Sequence, residues 1–217
     1  MIGVYGGTFD PIHFGHLRPI LDVINKICLD KCYFIPCREP HHRSMPLASS
    51  KQRIEMIAAA IQAEPRFVLD TREIDRDGIS YTVDTLESIV TEFSDEQTLC
   101  LILGVDAFVK FDQWHRWQDI LDMCHIVVTH RPGWDVEKLV IQKQISNKLS
   151  KVVELRRIYT TDELNQHQVG KIIFQTVTQL DISATTIRAL IAENNSIQYL
   201  TPKDVITIIN NQKIYMK

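Results

Sequence analysis

The chain has 217 residues, 45% of them apolar, enough to bury a good core and suited to one large α/β domain, alone or with a small appendage. Its formal net charge of −3 gives no global electrostatic case for a nucleic-acid or membrane partner. The N-terminus lacks the charged start and long apolar core of a signal peptide, and no apolar run approaches transmembrane length, so a cytoplasmic protein is expected.

Taken in chain order, residues 2–5 form an apolar run that reads as a short buried strand. It leads into Gly6-Gly7-Thr8-Phe9-Asp10-Pro11-Ile12-His13-Phe14-Gly15-His16, which reads as a glycine turn and then two histidines at the mouth of a helix over 17–27, with Pro19 in its first turn. Glycines let the backbone approach an anion without Cβ interference, and a helix N-terminus supplies unpaired N–H groups and a positive dipole end. The spacing matches neither the P-loop nor the dinucleotide G-x-G-x-x-G pattern. Asp10, His13 and His16 are also conceivable metal ligands, but Pro11 and Gly15 interrupt the helix that would align them, and no further ligand lies nearby. No protein-held metal is expected.

A second strand over 32–35 ends at Pro36, and a polar loop over 37–47 follows. A helix opens near Ser50 and carries Ile54, Met56, Ile57, Ala60 and Ile61 at helical spacing. A short strand spans 67–69. After the Asp77-Gly78 turn, Ser80-Tyr81-Thr82 opens a helix extending to residue 93. Residues 99–103 form a continuous apolar run suited to the centre of a parallel sheet. Phe111 and Trp117 are expected to pack on the core with Ile120 and Leu121, in a helix closing over 120–123, and residues 126–129 form the next strand. Residues 136–149 look helical, 156–168 look like a polar connector, and 171–177 look like a strand that joins the sheet late.

Ser183 N-caps a further helix with Arg188 in its second turn, and Thr201-Pro202 opens the last one with proline at its first position. The βαβαβ order predicts an α/β fold: a doubly wound, Rossmann-like parallel sheet with a small C-terminal helical part, and ligands at the carboxyl ends of the strands. A single domain over 1–217 is expected, with the sheet and its helices in 1–180 and the helical part in 181–217. Cys28, Cys32, Cys37, Cys100 and Cys124 form no C-x-x-C pair, which fits reduced thiols.

The 6–16 stretch resembles the H-x-G-H nucleotidylyltransferases. Asp181-Ile182-Ser183-Ala184-Thr185-Thr186-Ile187-Arg188 resembles the I-S-x-T-x-I/V-R motif that adenylyltransferases carry downstream. Class I aminoacyl-tRNA synthetases share H-x-G-H but need a lysine-rich K-M-S-K-S-like loop, which this chain lacks. Four more segments lie between: Glu39-Pro40-His41-His42-Arg43, Ser80-Tyr81-Thr82-Val83-Asp84-Thr85-Leu86, Gly104-Val105-Asp106 with Phe111 and Trp114 beyond it, and Arg131-Pro132-Gly133. In this order they resemble the bacterial nicotinate-nucleotide adenylyltransferase family from Gly6 to Arg188, with His41 where the family usually has a second proline.

That resemblance implies transfer of AMP from ATP to nicotinate mononucleotide, with Mg²⁺ bound through ATP. It implies catalytic roles for His13, His16 and Arg188. Gly6, Gly7, Thr8, Phe9, Arg43, Gly104, Asp106, Arg131 and Ser183 would meet ATP or its phosphates. His42, Tyr81, Thr82, Trp114 and His115 would hold the nicotinate nucleotide. Phosphopantetheine adenylyltransferase and a nucleotide-sensing module without turnover are the alternatives. The first is typically shorter and lacks the 80–86 and Trp114 segments, while binding alone would not demand His13, His16 and Arg188 together.

Overall fold

The computed structural model describes residues 1–39, 45–93, 97–133 and 145–216. Seven parallel strands form one sheet in the order β3-β2-β1-β4-β5-β7-β6. The strands are β1 (Ile2–Gly7), β2 (Lys31–Pro36), β3 (Phe67–Leu69), β4 (Leu99–Gly104), β5 (His125–His130), β6 (Arg157–Ile158) and β7 (Ile172–Thr176). The helices are α1 (Phe14–Ile27), α2 (Ser50–Ile61), α3 (Arg72–Asp75), α4 (Thr82–Glu92), α5 (Val105–Phe108), α6 (Trp117–Leu121), α7 (Asn147–Arg156), α8 (Thr161–Asn165), α9 (Ala184–Ala192) and α10 (Lys203–Asn211).

Side chains alternate across a strand, and the two cores follow that alternation. Ile2, Val4, Leu99, Leu101, Ile126 and Val128 face a core shared with Val83 and Leu86 of α4, Ile120 of α6 and Leu149 of α7. Cys32, Phe34, Cys100, Ile102 and Val127 face the other, filled by Ile20 and Ile24 of α1, Met56 of α2, Ile187 of α9 and Val205 of α10. The C-terminal helices therefore share a core with α1 and the sheet. Phe111 and Trp117 are buried with Ile120 and Leu121, as their spacing predicts.

Several boundaries differ from the sequence expectation. β1 continues through Gly6 and Gly7, so the turn is formed by the residues after them. α1 starts three residues before Leu17, which makes His13 the N-cap, places His16 inside the first turn, and moves Pro19 to the second. A proline there leaves the Gly15 carbonyl without its helical donor. The helix expected over 136–149 lies partly outside the described residues; Ser146 caps α7, which runs on to Arg156. The expected polar connector contains β6 and α8, the latter closed by a Thr160/Glu163 capping box. Pro202 is the N-cap of α10, not its first helical residue. Among the described residues no helix is long and apolar enough to cross a membrane.

Candidate functional site

In a doubly wound sheet a ligand crevice forms where neighbouring strands send their connections in opposite directions. Here that point is the carboxyl end of β1, which lies between β2 and β4. Gly6 and Gly7 end β1, Gly104 ends β4, Asp106 lies in the short α5 just beyond, and Arg131 follows β5 with its side chain exposed. Phe9, not a glycine, takes the left-handed φ of 51° in the turn. Its buried ring packs edge-on to Tyr5 and fills the space that a Cβ on Gly7 would need.

The two imidazoles are stacked, with ring centroids 3.7 Å apart and 26° between the planes. The His13 backbone N–H donates to His16 Nδ1 at 3.3 Å, so the proton of a neutral His16 ring sits on Nε2. His13 is 4% exposed, and burial lowers its pKa to about 4, keeping it neutral at ordinary pH. Its Nδ1 is buried without a hydrogen-bond partner. An orphaned acceptor is more tolerable there than an orphaned N–H, so its proton too belongs on Nε2. The His13 ring thus brings one neutral N–H donor, and both rings can offer Nε2–H.

Two helix N-termini meet around these rings. A Cβ on Gly15 would lie 2.9 Å from His13 Nδ1 and 3.0 Å from the Ile182 carbonyl, so only glycine admits the approach of the segment leading into α9. Neither α1 nor α9 has an acidic residue in its first turn, leaving the positive dipole ends unopposed. Ser183 caps α9 by accepting from Thr186 N–H at 3.1 Å. Arg188 Nη1 donates to the Asp10 carbonyl at 2.6 Å and lies 3.8 Å from its carboxylate. The H-x-G-H and I-S-x-T-x-I-R segments, far apart in sequence, are brought together.

Asp10, Tyr215 and Arg53 hold the site, and of these the sequence singles out only Asp10, as a conceivable metal ligand. The Asp10 carboxylate accepts from Leu47 N–H at 2.8 Å, Ala48 N–H at 3.0 Å and the Tyr215 hydroxyl at 2.7 Å. These donors occupy the oxygens that a metal would need, and among the described residues no group of three His, Cys, Asp or Glu is placed to hold one. Arg53 is 1% exposed and donates to the carbonyls of Thr8 at 2.9 Å and Cys37 at 2.8 Å, pinning the end of β1 to the chain leaving β2. Arg53→Ala strands both carbonyls, and a stranded buried polar group costs about 1–3 kcal/mol. An overall loss of about 3 kcal/mol in urea unfolding is expected, and a loss below about 0.5 kcal/mol would contradict this role.

The chain beyond Cys37 reaches the second half of the site. Cys37 Sγ lies 3.7 Å from Thr8 Oγ1, and Arg38 N–H donates to Ser80 Oγ at 3.0 Å. Tyr81 is the N-cap of α4 with no side-chain capping bond, and its ring lies 4.5 Å from that of His115. Trp114 is half-buried and meets Phe111 edge-on at 5.5 Å. Arg116 ties this turn to α4 through Glu87 at 2.7 Å. Tyr81, Thr82, Trp114 and His115 therefore group together, while His42 and Arg43 lie outside the described residues.

A parallel doubly wound sheet with two unopposed helix ends and paired imidazoles at its switch point defines a nucleotidyltransferase, and the cytidylyltransferase-like family model matches residues 4–190. A probable nicotinate-nucleotide adenylyltransferase of Methylococcus capsulatus is 44% identical, covering 100% of both chains. One of Hydrogenovibrio crunogenus is 42% identical over 99% of this chain and 97% of its own. The chain belongs to the nicotinate-nucleotide adenylyltransferase family. The fold also matches that of Plasmodium falciparum nicotinic acid mononucleotide adenylyltransferase, a structure that holds NaAD, with a TM-score of 0.68 at 17% identity over 99% of this chain and 96% of that one. Full-length likeness of this kind favours the main reading over phosphopantetheine adenylyltransferase or a non-catalytic sensor.

Proposed function

We propose that the protein transfers AMP from ATP to nicotinate mononucleotide, forming nicotinate adenine dinucleotide and pyrophosphate. The observation that carries this reading is the convergence of His13, His16 and the N-termini of α1 and α9 at the carboxyl end of β1. An oxygen of the acceptor's phosphate attacks the α-phosphorus in line, the bond to the bridging oxygen breaks, and pyrophosphate leaves. The acceptor supplies the nucleophile, so the protein's part is positioning and charge neutralisation.

In this reading the 6–9 backbone and Thr8 dock the phosphates, and the Nε2–H groups of His13 and His16 meet the α- and β-phosphates. Ser183 and Arg188 take the β,γ end. ATP arrives with Mg²⁺ on its own oxygens, as hard-cation chemistry favours. Gly104 and Asp106 meet the ribose, and Arg131 lies near the adenine. Arg43 helps hold a phosphate, and His42, Tyr81, Thr82, Trp114 and His115 hold the acceptor.

Arg188 donates Nη1 to the Asp10 carbonyl and Nη2 to Thr185 Oγ1 at 3.3 Å, and the remaining N–H groups of its planar fork are suited to phosphate. Arg188→Ala is expected to raise the KM for ATP and lower kcat together, by about 10-fold or more each. An unchanged ATP KM in steady-state assays would remove Arg188 from the site. The function itself is tested by incubating the protein with ATP, Mg²⁺ and, separately, nicotinate mononucleotide, nicotinamide mononucleotide and phosphopantetheine, and measuring pyrophosphate. Release with the first acceptor is expected, and release with none would overturn the reading.

A further inference from the structure

One buried carboxyl has no part in the chemistry above. Glu73, in the single turn of α3, is 7% exposed. Its Oε1 accepts from the Thr85 hydroxyl at 2.7 Å, and the Ser80 hydroxyl lies close to the same carboxyl. Ser80 Oγ in turn accepts from Arg38 N–H at 3.0 Å, and Ser80 N–H donates to the Glu39 carbonyl at 3.4 Å. The Glu73 carboxyl thus holds the Thr85 end of the 80–85 segment while Arg38 and Glu39 hold the Ser80 end, and between them Tyr81 and Thr82 present the opening turn of α4.

The arrangement separates naturally from the phosphate end. In the proposed reading the phosphates are met by elements following β1 and β7, whereas Glu73 bonds to Thr85 on the stretch between β3 and β4. Burial raises the Glu73 pKa, and the Thr85 hydroxyl bond and the Arg76 charge oppose that cost. Thr85 lies in the first turns of α4, so the position of that turn is tied to where the carboxyl sits.

We propose that Glu73 is a positioning residue for the acceptor: through Thr85 it fixes the α4 N-terminal turn, and so sets affinity for nicotinate mononucleotide and discrimination against the carboxamide analogue. The proposal rests on the acceptor assignment of Tyr81 and Thr82 made above. Glu73→Ala removes the Thr85 bond, yet the Thr85 hydroxyl keeps the Tyr81 carbonyl within reach at 3.3 Å, so the helix does not lose its last partner. Glu73→Gln keeps the shape and an accepting oxygen while removing the charge, and serves if the alanine variant does not fold.

Steady-state kinetics with each pyridine mononucleotide, with ATP varied separately, provide the test. In Glu73→Ala the KM for nicotinate mononucleotide should rise about 10-fold or more, and the preference over nicotinamide mononucleotide should fall by a similar factor, with ATP KM within about 2-fold of wild type. Glu73→Gln should recover part of both changes. Equal rises in the two substrates' KM values, or a lowered Tm with acceptor KM and preference unchanged, would overturn the positioning role. Wild-type protein that turns over no pyridine mononucleotide would overturn the underlying acceptor reading, and the role of Glu73 with it.

Discussion

His16→Ala is expected to lose about 100-fold or more in kcat while its KM for ATP changes little, because a donor aimed at charge developing in the transition state acts mainly there. The ring is held before substrate arrives. His13 stacks on one face, Phe9 meets it edge-on at 5.2 Å, and the His13 backbone N–H fixes Nδ1 and therefore the tautomer. A fixed donor costs no reorganisation as the reaction proceeds. The neighbouring His13 ring stays neutral down to about pH 4, so stacking the two imidazoles brings no like-charge repulsion at neutral pH. Steady-state measurement with ATP varied decides the matter. Near-native kcat with only a raised ATP KM would show that His16 binds ground-state phosphate and does no more.

Much of this site is legible in the sequence because its chemistry is written locally. The glycines, the paired histidines and the Ser183 cap each lie within one short segment, and β4 and β5 read as continuous apolar runs because parallel strands are covered on both faces. Phe9 is not legible in that way. Left-handed backbone costs a non-glycine residue about 1–2 kcal/mol, but burying its aromatic ring gains about 2–3 kcal/mol, so packing overrides the local preference.

Asp10 escapes for a different reason: its partners Leu47, Ala48 and Tyr215 are remote in sequence, and only the fold reveals that the carboxylate is committed to structural donors. Arg53 left a fainter signal, since it precedes Ile57 by one helical turn and so falls on the buried face of α2. Glu73 belongs to a helix of four residues, too short for any periodicity to register.

The identity of the accepted pyridine ring turns on the opening of α4. Trp114 can stack on a flat heteroaromatic ring, but stacking does not distinguish a carboxylate from a carboxamide of the same shape. In the proposed reading it is the first N–H groups of α4 that distinguish them. The Tyr81 side chain does not cap them, and they are backed by the positive end of an eleven-residue helix. Asp84 in the first turn offsets part of that dipole, which leaves direct donation by the N–H groups as the larger effect. A carboxylate accepts from them, whereas a carboxamide must turn its NH₂ away and loses one acceptor. Mispairing a buried polar edge costs several kcal/mol, and each 1.4 kcal/mol is about a factor of 10. Nicotinate mononucleotide is therefore expected to exceed nicotinamide mononucleotide by at least about 100-fold in kcat/KM, with Trp114→Ala weakening both acceptors and leaving most of the ratio intact. Competition assays with the two mononucleotides check this directly. Equal or better turnover of the amide would sink the assignment of this pocket.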